Sequence, residues 1–208
     1  MSLKMLNEFD PTMMKIAKIS TPSDKVGDMT HIMMSMPTLK FPFMTSEYGA
    51  STKYIDNSDH GETPKSANIR MKFYVNDVAT NKIKSMEAMI KEIFEANNRV
   101  YLGNDNQFEK YKFYSPLNEE TSEIAMKLDT EKPKIRFFLT ADDKISKEEV
   151  PLEALHPGCQ AEVFVSSPTI WVSTKNSMYG FSLYIKRIVV KKSQHDPMML
   201  AAGYEFEE

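Results

Sequence analysis

The chain has 208 residues, of which 41% are hydrophobic and 26% charged, and a formal charge of −3. That length can bury a core without staples, and the near-neutral charge sets up no global field for nucleic acid or membrane, so any such reading must come from local charge. The lone cysteine, Cys159, excludes an internal disulfide and points to a reducing, intracellular compartment; no apolar run approaches the roughly 20 residues that span a bilayer, and no secretory signal is visible.

Residues 1–24 carry Pro11, Pro22 and mixed polar residues, and they read as an irregular N-terminal arm with one short strand at Met14–Ile19. A strand near Thr30–Met36 follows, and Pro37 and Pro42 suggest irregular structure after it. Residues 49–67 are polar and rich in turn formers, which predicts a loop. At Asn68–Val75 the apolar Ile69, Met71, Phe73 and Val75 alternate with Arg70, Lys72 and Tyr74, the period of a strand. Ile83, Met86, Ile90 and Ile93 are instead three and four apart. They predict one amphipathic helix over about 80–97, started by Thr80 or Asn81 and ended at Asn97–Asn98.

A strand at Lys110–Tyr114 is followed by a polar stretch, 115–133, with a weak pattern around Ile124–Leu128. Lys134–Thr140 reads as a strand, Asp142–Leu155 as an acidic turn region with one helical turn, and His156–Cys159 as a turn. Further strands are expected at Gln160–Ser166, Thr169–Ser173 and Gly180–Val190, and from Ser193 the pattern dissolves into an acidic tail. The expected fold is mainly β, a barrel or sandwich with insertions over 25–192.

Chemistry-bearing motifs are missing. The glycines at 27, 49, 61, 103, 158, 180 and 203 make neither a dinucleotide nor a phosphate-loop pattern. His31, His60, His156 and His195 are far apart and have no partner at metal-ligand spacing. Cys159 sits in a Pro-Gly turn without a nucleophile signature, and Asp142–Asp143 suits a solvated loop. No enzyme, metal or cofactor is expected.

One constellation stands out. Alternate residues of a strand share a face. Four strands pair an apolar face with one that is polar, mostly basic, and carries one aromatic: Arg70, Lys72 and Tyr74; Lys110, Lys112 and Tyr114; Lys134, Arg136 and Phe138; Ser182, Tyr184 and Lys186. Cations neutralise phosphates, and aromatic rings stack on unpaired bases, so the combination suits a single-stranded nucleic acid. Solvent-facing lysines and strand-favouring aromatics are also ordinary on any β surface. Locally, Lys175, Lys186, Arg187, Lys191 and Lys192 stand against the single acid Glu162 between Ala161 and Lys192, and an acidic end follows them. Trp171, the only tryptophan, is either a stacking platform or a core plug.

The stretch Pro168–Val190, PTIWVSTKNSMYGFSLYIKRIVV, resembles the closing strands of single-stranded DNA-binding proteins from large nucleocytoplasmic DNA viruses and some phages. The matching elements are Ile170–Trp171, Lys175, Tyr179–Gly180, and Phe181–Val190 with Lys186–Arg187. The resemblance implies an oligonucleotide-binding barrel (OB-fold) and a viral protein acting in DNA replication, recombination or repair. In that reading Arg70, Lys72, Lys110, Lys112, Arg136, Lys175 and Lys186 contact phosphates, and Tyr74, Tyr114, Phe138 and Tyr184, with Trp171 as a candidate, stack on bases. The acidic C-terminal tail, 193–208, ending Tyr204, Glu205, Phe206, Glu207 and Glu208, would recruit replication proteins and compete with DNA for the groove. A homo-oligomer is compatible with it, and no membrane partner is expected. The competing expectation is a structural or interaction protein, such as a minor virion component, with the Met-rich segment Met29–Met44 as its interface.

Overall fold

The computed structural model describes residues 3–20, 29–50, 68–97, 108–129, 136–139, 144–151, 154–166 and 168–191. The expected segment 51–67 of the loop and the tail 193–208, with Tyr204 to Glu208, lie outside the described residues. Strands dominate, with a single α-helix among the described residues, as expected for a mainly β class. The larger of two sheets curls into a half barrel, consistent with an oligonucleotide-binding-like fold.

In chain order the strands are β1 (Leu3–Met5), β2 (Lys15–Ser20), β3 (Met29–Ser35), β4 (Thr38–Thr45) and β5 (Asn68–Tyr74). After α1 (Asp77–Ala96) come β6 (Lys112–Tyr114), β7 (Leu117–Asn118), β8 (Glu123–Asp129), β9 (Arg136–Leu139), β10 (Ile145–Glu149), β11 (Gln160–Val165), β12 (Thr169–Ser173), β13 (Met178–Ser182) and β14 (Tyr184–Lys191). The first sheet runs β1-β4-β11-β14-β8-β5, with β9 and β10 continuing beside β14 and β7 beside β8. The second runs β2-β3-β12-β13-β6. Residues 3–20 thus feed both sheets, and Leu6, Phe9 and Met14 are buried in the core.

Several sequence expectations need correction. Pro42 does not end β4. The β4–β11 register passes from Phe43 opposite Glu162 to Lys40 opposite Phe164, so Phe41 and Pro42 together face Val163. A bulge of that kind leaves one residue unpaired and tolerates a missing N–H. The stretch around Ile124–Leu128 is a full strand, β8, paired along its length with β5. Residues 145–149, expected as part of an acidic turn region, form a strand against β9, and the single helical turn follows it, where Ala154 N donates to the Pro151 carbonyl oxygen at 3.2 Å. The expected strand Gly180–Val190 is two strands that belong to different sheets, with Leu183 between them.

Helix α1 starts earlier than expected because Asn76, not Thr80 or Asn81, caps it. Its side-chain oxygen accepts from Ala79 N at 2.9 Å. The buried stripe is Ala79, Ile83, Met86, Ile90 and Phe94, at spacings of three and four. Phe94 stacks on Tyr179 of β13 with centroids 3.9 Å apart, which seats the helix against the second sheet. Met34, Met36 and Met44 are core residues and Met33 is exposed, so the described part of the Met-rich segment fills the interior more than it forms a surface.

Candidate nucleic-acid interface

A half-open cleft of about 270 Å³ lies where β5, β8 and the start of β14 meet β3, β12, β13 and β6. Leu183 is the corner: its carbonyl oxygen accepts from Lys127 N at 2.8 Å, tying the turn between the sheets to β8. Each wall is a row of side chains at one level across neighbouring strands. On the first sheet the row is Arg70, Lys127 and Tyr184, because Arg70 pairs with Lys127 and Lys127 pairs with Tyr184. On the second it is His31, Trp171, Gly180 and Tyr114, from the pairings of β3, β12, β13 and β6.

The second wall is aromatic. Trp171 is half-buried, and its ring lies 6.1 Å from that of Tyr114, tilted by 50°. The indole fits because position 180 has no side chain. A Cβ there would collide with the Tyr114 carbonyl oxygen and approach Trp171 Cζ2 to 2.8 Å. Tyr114 is 52% exposed and lines the cleft, so it is within reach of a ligand there. Trp171 is therefore a cleft residue, not a core plug.

The first wall is cationic. Lys127 Nζ sits 5.4 Å from the Tyr184 ring centre. Burial, and secondly the charge of Arg70, hold the Lys127 amine below the usual lysine range. Burial, and then Lys127, lower the His31 imidazole, and burial raises the Tyr184 phenol. Among the described residues Lys127 makes no ion pair, and no acid lines the cleft. Like charges directly across a strand pair are unfavourable on their own. An anionic group between Arg70 and Lys127 would remove that cost.

The cleft brings together four of the sequence-proposed residues, Arg70, Tyr114, Trp171 and Tyr184. Lys72 and Tyr74 lie farther along β5, engaged by acids. Lys72 Nζ is 3.5 Å from Glu123 Oε2, and the Tyr74 hydroxyl donates to Glu47 at 2.5 Å. Arg136 is turned inward: its guanidinium meets Glu149 at 2.9 Å and Nε donates to the Val150 carbonyl at 2.9 Å. Lys112, Lys175 and Lys186 are exposed outside the cleft lining, and Lys110 ends a short 3-10 turn instead of opening a strand. The Phe138 side chain lies outside what the structure describes. His31 and Lys127 were not legible as site residues, although the alternation Ile124, Met126, Leu128 already turns Lys127 to the opposite face.

Among the described residues no group of His, Cys, Asp or Glu could hold a metal ion, and no helix is long and apolar enough to cross a membrane. No family model matches the chain, and no curated protein is significantly similar to it. Among solved structures, it is similar to the single-stranded DNA-binding protein encoded by bacteriophage T7, at 13% identity and a TM-score of 0.42, covering 84% of this chain and 98% of that one. It is also similar to the single-stranded DNA-binding protein of bacteriophage Enc34 in complex with single-stranded DNA. That match has 12% identity and a TM-score of 0.43, over 85% of this chain and 97% of that one. A C-terminal truncation of the Enc34 protein gives 12% identity and a TM-score of 0.40, over 88% and 97%. Likeness at that level carries no inference about what this chain binds.

Proposed function

We propose that the chain is a non-enzymatic protein that binds single-stranded DNA in the cleft between its two sheets, without sequence preference, during replication, recombination or repair of a viral genome. One observation carries this reading: a cationic row, Arg70–Lys127–Tyr184, and an aromatic row, His31–Trp171–Gly180–Tyr114, line the same cleft. The arrangement divides the work. A phosphate fits between the two cations, which make no ion pair among the described residues, and would neutralise their charges with release of counterions. The attached base reaches the opposite wall and stacks on Trp171 or Tyr114, and any base can do so because every base has a π-face. A duplex keeps its bases stacked inside and offers none to that wall. Exposed Lys112, Lys175 and Lys186 would extend the path outside the cleft. The tail 193–208 would compete for the cations and carry contacts to replication proteins.

Trp171 reports on its own site, because it is the only tryptophan. Oligo-dT should quench its emission, and the affinity should fall steeply with salt, while duplex DNA of equal length does neither. Unchanged tryptophan emission at saturating, low-salt oligo-dT would discard the cleft as the binding site.

A further inference from the structure

Lys72 is central in the basic face of β5 and the cleft does not use it. Along β5, Arg70, Lys72 and Tyr74 share one face. Across from them on β8 stand Lys127, Ala125 and Glu123 in turn. The face therefore begins with two cations and ends at a carboxylate. Lys72 leans towards that end, over the Tyr48 ring at 5.5 Å and to Glu123 Oε2 at 3.5 Å.

Glu123 is only 5% exposed. The Thr121 hydroxyl donates to its Oε2 at 2.9 Å, and among the described residues its Oε1 has no hydrogen-bond partner. Drawing Lys72 away to a phosphate would leave a buried carboxylate held by a single hydroxyl. An uncompensated buried charge costs more than an exposed ammonium gains from an anion in water. Beyond it, Glu47 holds the Tyr74 hydroxyl and adds a second negative group at the same end.

Building on the reading of the cleft as a single-stranded DNA site, we infer that Glu123 sequesters Lys72 and so sets one boundary of the phosphate path, which stops at Arg70 and Lys127. Glu123 is a positioning residue: it touches no nucleic acid and acts by withholding a cation. A strand leaving the cleft is turned away from the Glu47–Glu123 end, and one direction of exit is thereby excluded.

The test is a salt series of oligo-dT titrations on the full chain, comparing wild type, Lys72→Met, Glu123→Gln and the double variant. Lys72→Met should leave the slope of log K against log salt unchanged. Glu123→Gln should steepen it by about 0.7, one further phosphate on a single strand. The double variant should return to the wild-type slope. A slope flattened by Lys72→Met alone, or unmoved by Glu123→Gln, would overturn the proposal while leaving the cleft reading intact. Wild-type protein that does not bind oligo-dT would overturn both. If Glu123→Gln does not fold, Lys72→Met decides by itself.

Discussion

Replacing Gly180 with alanine tests whether the aromatic wall depends on a missing side chain. The added Cβ would meet the Tyr114 carbonyl oxygen on one side, and Trp171 Cζ2 at 2.8 Å and Cε2 at 3.2 Å on the other. The carbonyl belongs to backbone paired in β6, so it yields poorly; the indole must tilt away or the β6–β13 pairing must spread. Forcing one extra carbon into a filled space costs about 1–3 kcal/mol. For a chain of this size each kcal/mol lowers Tm by roughly 2–4 °C, so a fall of about 2–12 °C is expected. The tryptophan emission of the free protein should shift as well, because the ring leaves its half-buried seat. Base stacking contributes about 1–3 kcal/mol, so oligo-dT affinity should drop by roughly 5- to 150-fold if the ring is displaced. Thermal melts, emission spectra and anisotropy on one preparation give all three quantities. A Gly180→Ala protein with wild-type Tm, emission and affinity would refute the packing argument.

Arg136→Ala separates a structural cation from a binding one. It removes the contacts to Glu149 and to the Val150 carbonyl, so urea melts should show a loss of about 2 kcal/mol, with oligo-dT affinity of the folded protein unchanged. Weaker binding at unchanged stability would return Arg136 to the phosphate path. Glu87 on α1 accepts a hydrogen bond from the Ser115 hydroxyl, yet burial outweighs that bond and raises its carboxyl above the usual range. The folded protein then binds this proton more tightly than the unfolded chain, so Glu87 weakens the fold as pH rises through the window between the ordinary and the raised value. Glu87→Gln should therefore melt higher than wild type at neutral pH, and the difference should close below about pH 4, where the carboxyl is protonated in both states. A variant less stable at neutral pH would contradict that sign.

The parts of the fold that could be read from sequence were those with one clean period. Arg70, Lys72 and Tyr74 alternate with Met71 and Phe73, and β5 formed as expected; the α1 stripe was equally plain, though Phe94 rather than Ile93 is its fully buried end. Missed elements had their signal overwritten. Proline hid β4, since a bulge excuses a missing donor only in tertiary context. Ser146–Glu149 carries no apolar residue because, among the described residues, β10 pairs with β9 alone and, lying at an edge, has no need of one. Leu183 continues the alternation on both sides and so conceals the switch between sheets. The cleft was half legible: Arg70, Tyr114, Trp171 and Tyr184 were named, but which cations would be captured by Glu123 and Glu149 depends on strand neighbours that no local pattern encodes. His31 and Lys127 enter the cleft for the same reason, through pairings with Trp171 and with Arg70.

The place of β14 has a consequence for how the chain reaches this state. It pairs with β11 on one edge and with β8 and β9 on the other, so without it the larger sheet falls into separate pieces. Those pairings join residues far apart in sequence, Tyr184 with Lys127 and Ile188 with Arg136, and such contacts form slowly because a long loop must close first. The hairpin β12–β13 closes over a short turn and can form early. A nascent chain that has emerged only through β13 would therefore hold one wall of the cleft while leaving edges of β8, β9 and β11 unpaired and adhesive. The same strand that completes the cationic wall removes those edges, so the finished cleft and protection from aggregation arrive in one step.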